Sequence, residues 1–159
     1  MRNKIAFLLL VCVLSVRAQV RLQPLFTDNM VLQQQASVPV WGETKPGKTV
    51  KVTPSWNRKT YVTKADKQGK WQVTIETPVA GGPYDIHITD GKPIDLKNVL
   101  IGEVWLCSGQ SNMEMPIEGW GKVMNYKDEE QEAQQHPNIR LLQLDKVTAA
   151  KPAEHFSAV

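Results

Sequence analysis

The chain has 159 residues and a formal net charge of +3. Three of its 19 basic residues lie in the first 18 positions, so the remaining residues carry 16 basic and 16 acidic groups and are formally neutral. No run of Lys or Arg with interleaved aromatics is present, which excludes the usual signature of a nucleic-acid-binding protein. Three scattered histidines without paired cysteine or carboxylate spacing predict no metal site.

Residues 1–18 are predicted to be a secretory signal peptide. Two basic residues precede an apolar run from Ile5 to Leu14, and the segment ends at a small residue, Ala18. The run is too short to span a membrane. We therefore expect cleavage after Ala18 and export to the periplasm or the extracellular space, with an uncleaved anchor as the alternative.

Residues 19–98 alternate between apolar and polar positions, with turn signals at intervals of roughly eight to twelve residues. The turns are predicted at Lys45–Gly47, Asp66–Gly69 and Asp90–Gly91. This pattern predicts an antiparallel β sandwich. The predicted core consists of the inward positions Trp41, Val50, Val52, Trp71, Val73, Ile75, Ile86 and Ile88.

Two aromatic side chains in this region suggest possible functions. His87 lies on the strand face opposite Ile86 and Ile88, so we expect it to face solvent. Trp56 lies in a polar stretch and is either a stacking platform for a sugar or a packing residue against a neighbouring domain. An exposed Trp56 beside other aromatics would favour a glycan-binding module, and a buried one would count against it.

From residue 99 onward the sequence pattern changes. The run Leu100–Cys107 is almost continuously apolar and predicts a buried parallel strand, with Cys107 as a small buried hydrophobe rather than a nucleophile. Residues 122–135 are polar and acidic and predict a solvated helix or a loop, and Ile139–Leu144 predicts a second strand. Cleavage of the signal peptide would leave Cys107 as the single cysteine, which excludes an intrachain disulfide.

Ser111 follows the first of these strands in a sequence that favours a sharp turn. Ser108 and Gly109 break the strand, and Met113 and Glu114 can open a helix. A serine on a strand-to-helix turn is how many hydrolases expose a nucleophile, with backbone N–H groups facing the developing oxyanion. The alternative is that Ser111 is only a helix N-cap, with Glu114 three residues later completing a capping box.

Two long motifs resemble the sialate O-acetylesterases, which are SGNH-type serine esterases. One is the run Gly-Glu-Val-Trp-Leu-Cys-Ser-Gly-Gln-Ser-Asn-Met-Glu-Met-Pro, residues 102–116, and the other is Leu-Phe-Thr-Asp-Asn-Met-Val-Leu-Gln-Gln, residues 25–34. A third similarity is the sequence Val-Pro-Val-Trp-Gly at residues 38–42. The resemblance implies that residues 99–159 are the truncated start of a flavodoxin-like α/β SGNH domain.

The same resemblance implies the roles of four residues. Ser111 would be the nucleophile and one N–H donor to the oxyanion, and Gly109, Gln110 and Asn112 would shape the turn. The family's acid and base form an Asp-x-x-His pair, which is absent from this sequence. Neither His136 nor His155 follows an aspartate at that spacing. The chain thus holds half of a catalytic site, and no metal or organic cofactor is implied.

We expect an exported enzyme that hydrolyses O-acetyl esters of sialic acids, of which this chain is an incomplete and inactive piece. Its partner would be an acetylated sialic acid or another acetylated glycan, not a nucleic acid. One alternative is a non-catalytic sandwich module that binds a glycan or a protein. The other is an esterase of acetylated polysaccharide such as xylan. The sequence predicts no oligomeric state.

Overall fold

The structure is a computed structural model that describes residues 19–121, 123–148, 150, 151 and 158. The predicted signal peptide, residues 1–18, and His155 lie outside the described residues. None of the helices in the described part of the chain is long and apolar enough to cross a membrane.

Eight strands and two helices are present among the described residues. In chain order they are β1 (Arg21–Leu22), β2 (Val31–Gln33), β3 (Ser37–Glu43), β4 (Thr49–Pro54), β5 (Tyr61–Lys64), β6 (Lys70–Glu76), β7 (Gly81–Thr89), β8 (Pro93–Gly102), α1 (Ser111–Glu114) and α2 (Tyr126–Ala133).

The strands form two sheets, one in the order β1-β3-β6 and one in the order β2-β8-β7-β4-β5. All pairs are antiparallel except β2 and β8, which run parallel with Val31 opposite Leu100 and Gln33 opposite Gly102. The prediction of mainly antiparallel β structure is confirmed. The sandwich followed by an α/β domain remains a prediction.

Side chains from both sheets form one hydrophobic core, as the period-two alternation requires. Six of the eight predicted core residues are buried, and the other two, Trp41 and Val73, are partly buried and pack against them. The core also contains residues that the alternation did not identify, among them Val20, Phe26, Met30, Leu32, Val40, Tyr61, Leu96, Val99 and Ile101.

The turn between β5 and β6 is specified by local chemistry. The Asp66 carboxylate accepts hydrogen bonds from the backbone N–H groups of Gln68 and Lys70, at 2.8 and 2.9 Å. Gly69 has φ of +84°, and a Cβ there would lie 2.3 Å from the Thr44 carbonyl oxygen. Only glycine fits this position without displacing backbone, so the predicted turn at Asp66–Gly69 is confirmed.

Strand β8 is longer than the sequence indicates. It runs from Pro93 to Gly102 and passes through the domain boundary predicted between residues 98 and 99. Val99 and Ile101 are core residues on this strand. The sheet region therefore ends at Gly102, because the last three residues of β8 pair with β2.

The two strands predicted after residue 99 differ from the structure. The run Leu100–Cys107 is strand only as far as Gly102, and Ile139–Leu144 forms no strand beyond a single bridge between Leu144 and Ala158. A strand requires hydrogen-bonded neighbours, and none of the described strands pairs with residues 103–107 or with Ile139–Leu144. The polar stretch 122–135 contains α2, whose residues other than Tyr126 are exposed, in agreement with a solvated helix.

Candidate functional site

Ser111 is the first residue of α1, a single helical turn that follows residues 103–109, which form neither helix nor strand. Gly109, Gln110, Ser111 and Asn112 are all exposed and adjacent on this turn. The Met113 N–H donates to the Gln110 carbonyl oxygen at 2.9 Å and closes the turn. The turn thus presents the Ser111 side chain to solvent, where a substrate can reach it.

The capping-box interpretation of Ser111 is wrong. Gln110, not Ser111, occupies the N-cap position, and it makes no side-chain capping hydrogen bond. Glu114 forms an ion pair with Lys146 rather than turning back to the start of the helix. Ser111 Oγ makes no hydrogen bond to any of the described residues, so its hydroxyl is not used in capping.

Gly109 allows the turn to close tightly. A Cβ at this position would lie 2.6 Å from Cγ of Met113, which packs over the glycine. A larger residue at position 109 would require Met113 to move. The role of Gly109 in shaping the turn stays a prediction.

The predicted burial of Cys107 is wrong. Cys107 is a free, exposed cysteine, and the preceding Trp105 and Leu106 are 84% and 91% exposed. An apolar sequence becomes a buried strand only when it pairs with neighbouring strands and other elements cover its faces. No described element covers residues 104–107.

Ser111 lies in the segment between residues 103 and 140, and one end of this segment is attached to β2 and the residue after it through Glu103. Its carboxylate accepts hydrogen bonds from Gln33 Nε2 at 3.0 Å and Gln34 Nε2 at 2.7 Å. The Val104 N–H donates to Gln33 Oε1 at 3.0 Å, and the Gln34 N–H donates to the Gly102 carbonyl oxygen at 2.8 Å. The hydrogen bonds from Gln33 and then Gln34 lower the pKa of Glu103 from its ordinary value. We call this set of contacts the Glu103 anchor.

The other end of the segment is attached to the sheet region through Arg140. Nη1 donates to the Asn98 carbonyl oxygen at 2.5 Å and to the Met30 carbonyl oxygen at 3.3 Å, and Nη2 donates to Asn98 Oδ1 at 3.1 Å. The Asn98 amide in turn donates to Asn29 Oδ1 at 2.6 Å. We call these contacts the Arg140 anchor. Sequence reasoning identified neither anchor, although the polar residues of the 25–34 motif were a signal for both.

The two histidines in the described residues have carboxylate neighbours. His87 is exposed on β7, as predicted, with Nδ1 2.7 Å from Asp95 Oδ1. His136 Nε2 lies 3.9 Å from Glu132 Oε1, one helical turn away. Neither pair has the Asp-x-x-His sequence spacing of the resembled family, because Asp95 follows His87 and the partner of His136 is a glutamate.

Trp56 packs within the sheet region rather than standing free. Its indole N–H donates to the Glu76 carbonyl oxygen at 3.0 Å, and its ring meets Tyr84 edge to face at 5.5 Å. The side chain is half-buried against the core. This packing counts against Trp56 as a sugar-stacking platform.

A shallow groove of about 470 Å³ lies on the sheet region. Its lining includes Trp41, Glu43, Lys70, Trp71 and Gln72. No residue of the turn around Ser111 lines it. The groove is therefore separate from the predicted esterase site.

The chain is 30% identical to the sialate O-acetylesterase of Homo sapiens over 142 residues, which cover 83% of this chain and 27% of that protein. The sialate O-acetylesterase of Mus musculus is 28% identical over 145 residues, covering 84% of this chain and 26% of that protein. The structure matches the crystal structure of a carbohydrate acetylesterase from Xanthomonas citri with a TM-score of 0.72 and 31% identity, over 87% of this chain and 31% of that one. No family model matches the chain. It thus spans 26–27% of the length of these two curated relatives, and the similarities support the family resemblance of the sequence motifs.

Proposed function

We propose, from the premise that this chain is related to the sialate O-acetylesterases, that it forms part of a serine esterase acting on O-acetylated sialic acids. The observation that carries the proposal is Ser111. It lies in the Gly-Gln-Ser-Asn-Met sequence on an exposed turn, with a hydroxyl that is not used in capping.

In the proposed reaction, Ser111 Oγ attacks the carbonyl carbon of the acetyl ester while a base removes its proton. The Ser111 N–H donates to the oxyanion of the tetrahedral intermediate. Collapse of the intermediate releases the sugar hydroxyl, which takes up the proton, and leaves an acetyl group on Ser111. Water then attacks this acetyl-enzyme and releases acetate. Gly109, Gln110 and Asn112 hold the turn that presents the serine.

The chain supplies only part of this machinery. Its 159 residues include no Asp-x-x-His sequence, and the proposal assigns the base and its orienting acid to polypeptide outside these residues. A serine hydroxyl without a base is a poor nucleophile, and loss of the base costs about as much as loss of the whole triad, roughly a million-fold in a well-studied protease. We therefore expect the isolated chain to show no useful esterase activity.

Two measurements test the proposal. The purified chain is assayed for acetate release from O-acetylated sialic acid, and we expect a rate equal to that of its Ser111→Ala variant. A longer natural polypeptide that contains this chain and an Asp-x-x-His pair is assayed in the same way, and we expect Ser111→Ala to abolish turnover. Ser108→Ala, which removes another exposed serine from the same block, is the matched control and should retain activity. Undiminished turnover in the Ser111→Ala variant would refute the proposal.

A second substrate class is acetylated polysaccharide such as xylan, and the similarity to a carbohydrate acetylesterase is as compatible with it as with sialic acid esters. Both classes present an acetyl ester on a sugar hydroxyl, so the same serine chemistry applies to each. A competition assay that offers acetylated sialic acid and acetylated xylan together would distinguish them. The substrate with the higher kcat/KM is the preferred one.

The proposal includes export. The basic start, apolar run and small residue at Ala18 have the pattern of a cleaved signal peptide. N-terminal sequencing of the natural protein should find Gln19 as the first residue, in the periplasm or outside the cell. Recovery of Met1 on cytoplasmic protein would contradict it.

A further inference from the structure

The motif at residues 25–34 contributes to the core and also makes hydrogen bonds to the part of the chain that carries Ser111. Met30 and Leu32 enter the core, but Gln33 and Gln34 direct their amides at Glu103. The Glu103 anchor and the Arg140 anchor both depend on this motif and on β8. Ser111 lies between the two anchors, eight residues after Glu103 and 29 residues before Arg140. We call residues 103–140 the Ser111 segment.

The hydrogen bonds at the Glu103 anchor allow only one orientation of the two glutamine amides. Gln33 Oε1 accepts the Val104 N–H at 3.0 Å, and Gln34 Oε1 accepts the Ala80 N–H at 2.9 Å. The NH₂ group of each amide therefore points at residue 103. A carboxylate accepts from both, whereas a glutamine at position 103 would place an NH₂ donor against one of the two donors. Glu103→Gln is for this reason not a conservative change.

The Arg140 anchor also depends on side-chain geometry. The guanidinium reaches the carbonyl oxygen and Oδ1 of Asn98 with two different nitrogens and the Met30 carbonyl oxygen with one of them. A lysine carries its charge at one point and cannot reproduce this fork. Two of the three acceptors are backbone carbonyl oxygens, which no substitution removes. All three hydrogen bonds can therefore be removed together only by changing Arg140.

We propose that Glu103 and Arg140 are positioning residues that fix both ends of the Ser111 segment on the sheet region. The inference rests on the proposed function, because it assigns the purpose of the two anchors to the placement of the Ser111 nucleophile. Displacing a reacting group by about 1 Å can cost a hundred-fold in rate. The sheet region is then a working part of the esterase and not a separable binding module.

The structural half of the inference is tested on the chain itself by amide hydrogen exchange. Glu103→Gln should accelerate exchange at the Val104 amide roughly three- to tenfold, as expected for the loss of about one hydrogen bond. Exchange at the amides of β4 and β7 should not change. Glu132→Gln is the matched control, since Glu132 is exposed and lies outside both anchors.

The functional half is tested by kinetics on the longer polypeptide that carries the Asp-x-x-His pair. We expect Glu103→Gln and Arg140→Lys each to lower kcat about ten- to a hundred-fold, with KM within a factor of about two. Arg58→Lys, an exposed arginine outside the anchors, is the control for Arg140→Lys and should leave both constants unchanged. General destabilisation would instead alter exchange throughout β4 and β7.

The outcomes separate the two proposals. If Glu103→Gln leaves exchange at Val104 unchanged, or if kcat is unaffected in an active enzyme, the positioning role is refuted and the esterase proposal stands. If the wild-type polypeptide hydrolyses no acetyl ester, the proposed function fails. The exchange result alone then decides whether the anchors hold the segment.

Discussion

The sheet region and residues 103–148 both contain apolar sequences, but these are buried in the first and exposed in the second. Among the described residues, all 16 buried hydrophobic residues lie between Val20 and Ile101. Thirteen of the 16 large hydrophobic residues that are exposed lie between Val104 and Val147. The sheet region supplies two faces that cover each other, and residues 103–148 have no described partner surface. An apolar pattern predicts burial only when a covering element exists.

The largest effect is expected from the position at which the sheet region is cut. A polypeptide of residues 19–102 should fold cooperatively, whereas residues 19–98 should not, because the shorter piece lacks the core residues Val99 and Ile101 and the partner of β2. Each buried aliphatic side chain contributes about 1.5–3 kcal/mol. The contributions of Val99 and Ile101 together are a large part of the free energy of unfolding of a typical domain, which is about 5–15 kcal/mol.

Urea denaturation followed by tryptophan fluorescence measures this difference. A polypeptide of residues 19–98 as stable as residues 19–102 would show that the sheet region ends where the sequence indicated. It would also remove the basis for treating β8 as one continuous strand.

A pair of substitutions sharpens the comparison at single residues. Ile88→Ala in the sheet region should lower the free energy of unfolding by about 2–5 kcal/mol, because the side chain is fully buried. Leu141→Ala should change it by less than about 0.5 kcal/mol, since that side chain is 91% exposed. Equal losses for the two variants would mean that residues 103–148 possess a core of their own.

Two strand glycines provide a smaller contrast. A Cβ on Gly42 would lie 2.2 Å from the Arg21 carbonyl oxygen, so Gly42→Ala must displace the β1 backbone and should destabilise by about 1–3 kcal/mol. A Cβ on Gly102 would make only an ordinary contact, 3.8 Å from Val31 Cγ1. Gly102→Ala should therefore be neutral or stabilise by about 0.4–1 kcal/mol. Chemical denaturation of both variants checks the order, and the reverse order would contradict the close β1–β3 approach.

The sequence predicts the sheet region well because its signals are local. Alternation places Val50, Val52, Ile86 and Ile88 inside, and Asp66–Gly69 specifies its own turn. The parallel pairing of β2 with β8 joins positions about 70 residues apart. Neither the three-residue β2 nor any turn encodes that pairing, since the local pattern carries no information on which distant strand is the partner.

The candidate site shows the same division. Ser111 is identified by its motif and by the residues around it, which are contiguous in the chain. Arg140 is not identified, because its acceptor on Met30 is 110 residues away and is a backbone carbonyl. The strand predicted through Cys107 fails for a different reason, which is the absence of covering strands among the described residues.

The smallest expected effect concerns the junction between the two parts and depends on pH. Hydrogen bonds from Gln33 and Gln34 hold the pKa of Glu103 below its ordinary value, so the ionised carboxylate is the form that the folded chain favours. A lowered folded-state pKa means that the anchor contributes fully above the pKa of the unfolded chain. That contribution is lost as the pH falls through the folded-state pKa. Glu103 is exposed at the surface, so the global stability should change little while the junction loosens.

An NMR titration of the Glu103 side chain tests this sign. Its pKa should lie below the ordinary value of a glutamate in the wild type and should rise toward that value in Gln33→Ala and in Gln34→Ala, because each variant removes one hydrogen-bond donor to the carboxylate. The protection of the Val104 amide, taken relative to its intrinsic exchange rate at each pH, should fall over the same pH range, since its acceptor is Gln33 Oε1. Glu132→Gln should leave the titration of Glu103 unchanged. A Glu103 pKa that is equal in the wild type and in both glutamine variants would mean that the amides do not hold the carboxylate.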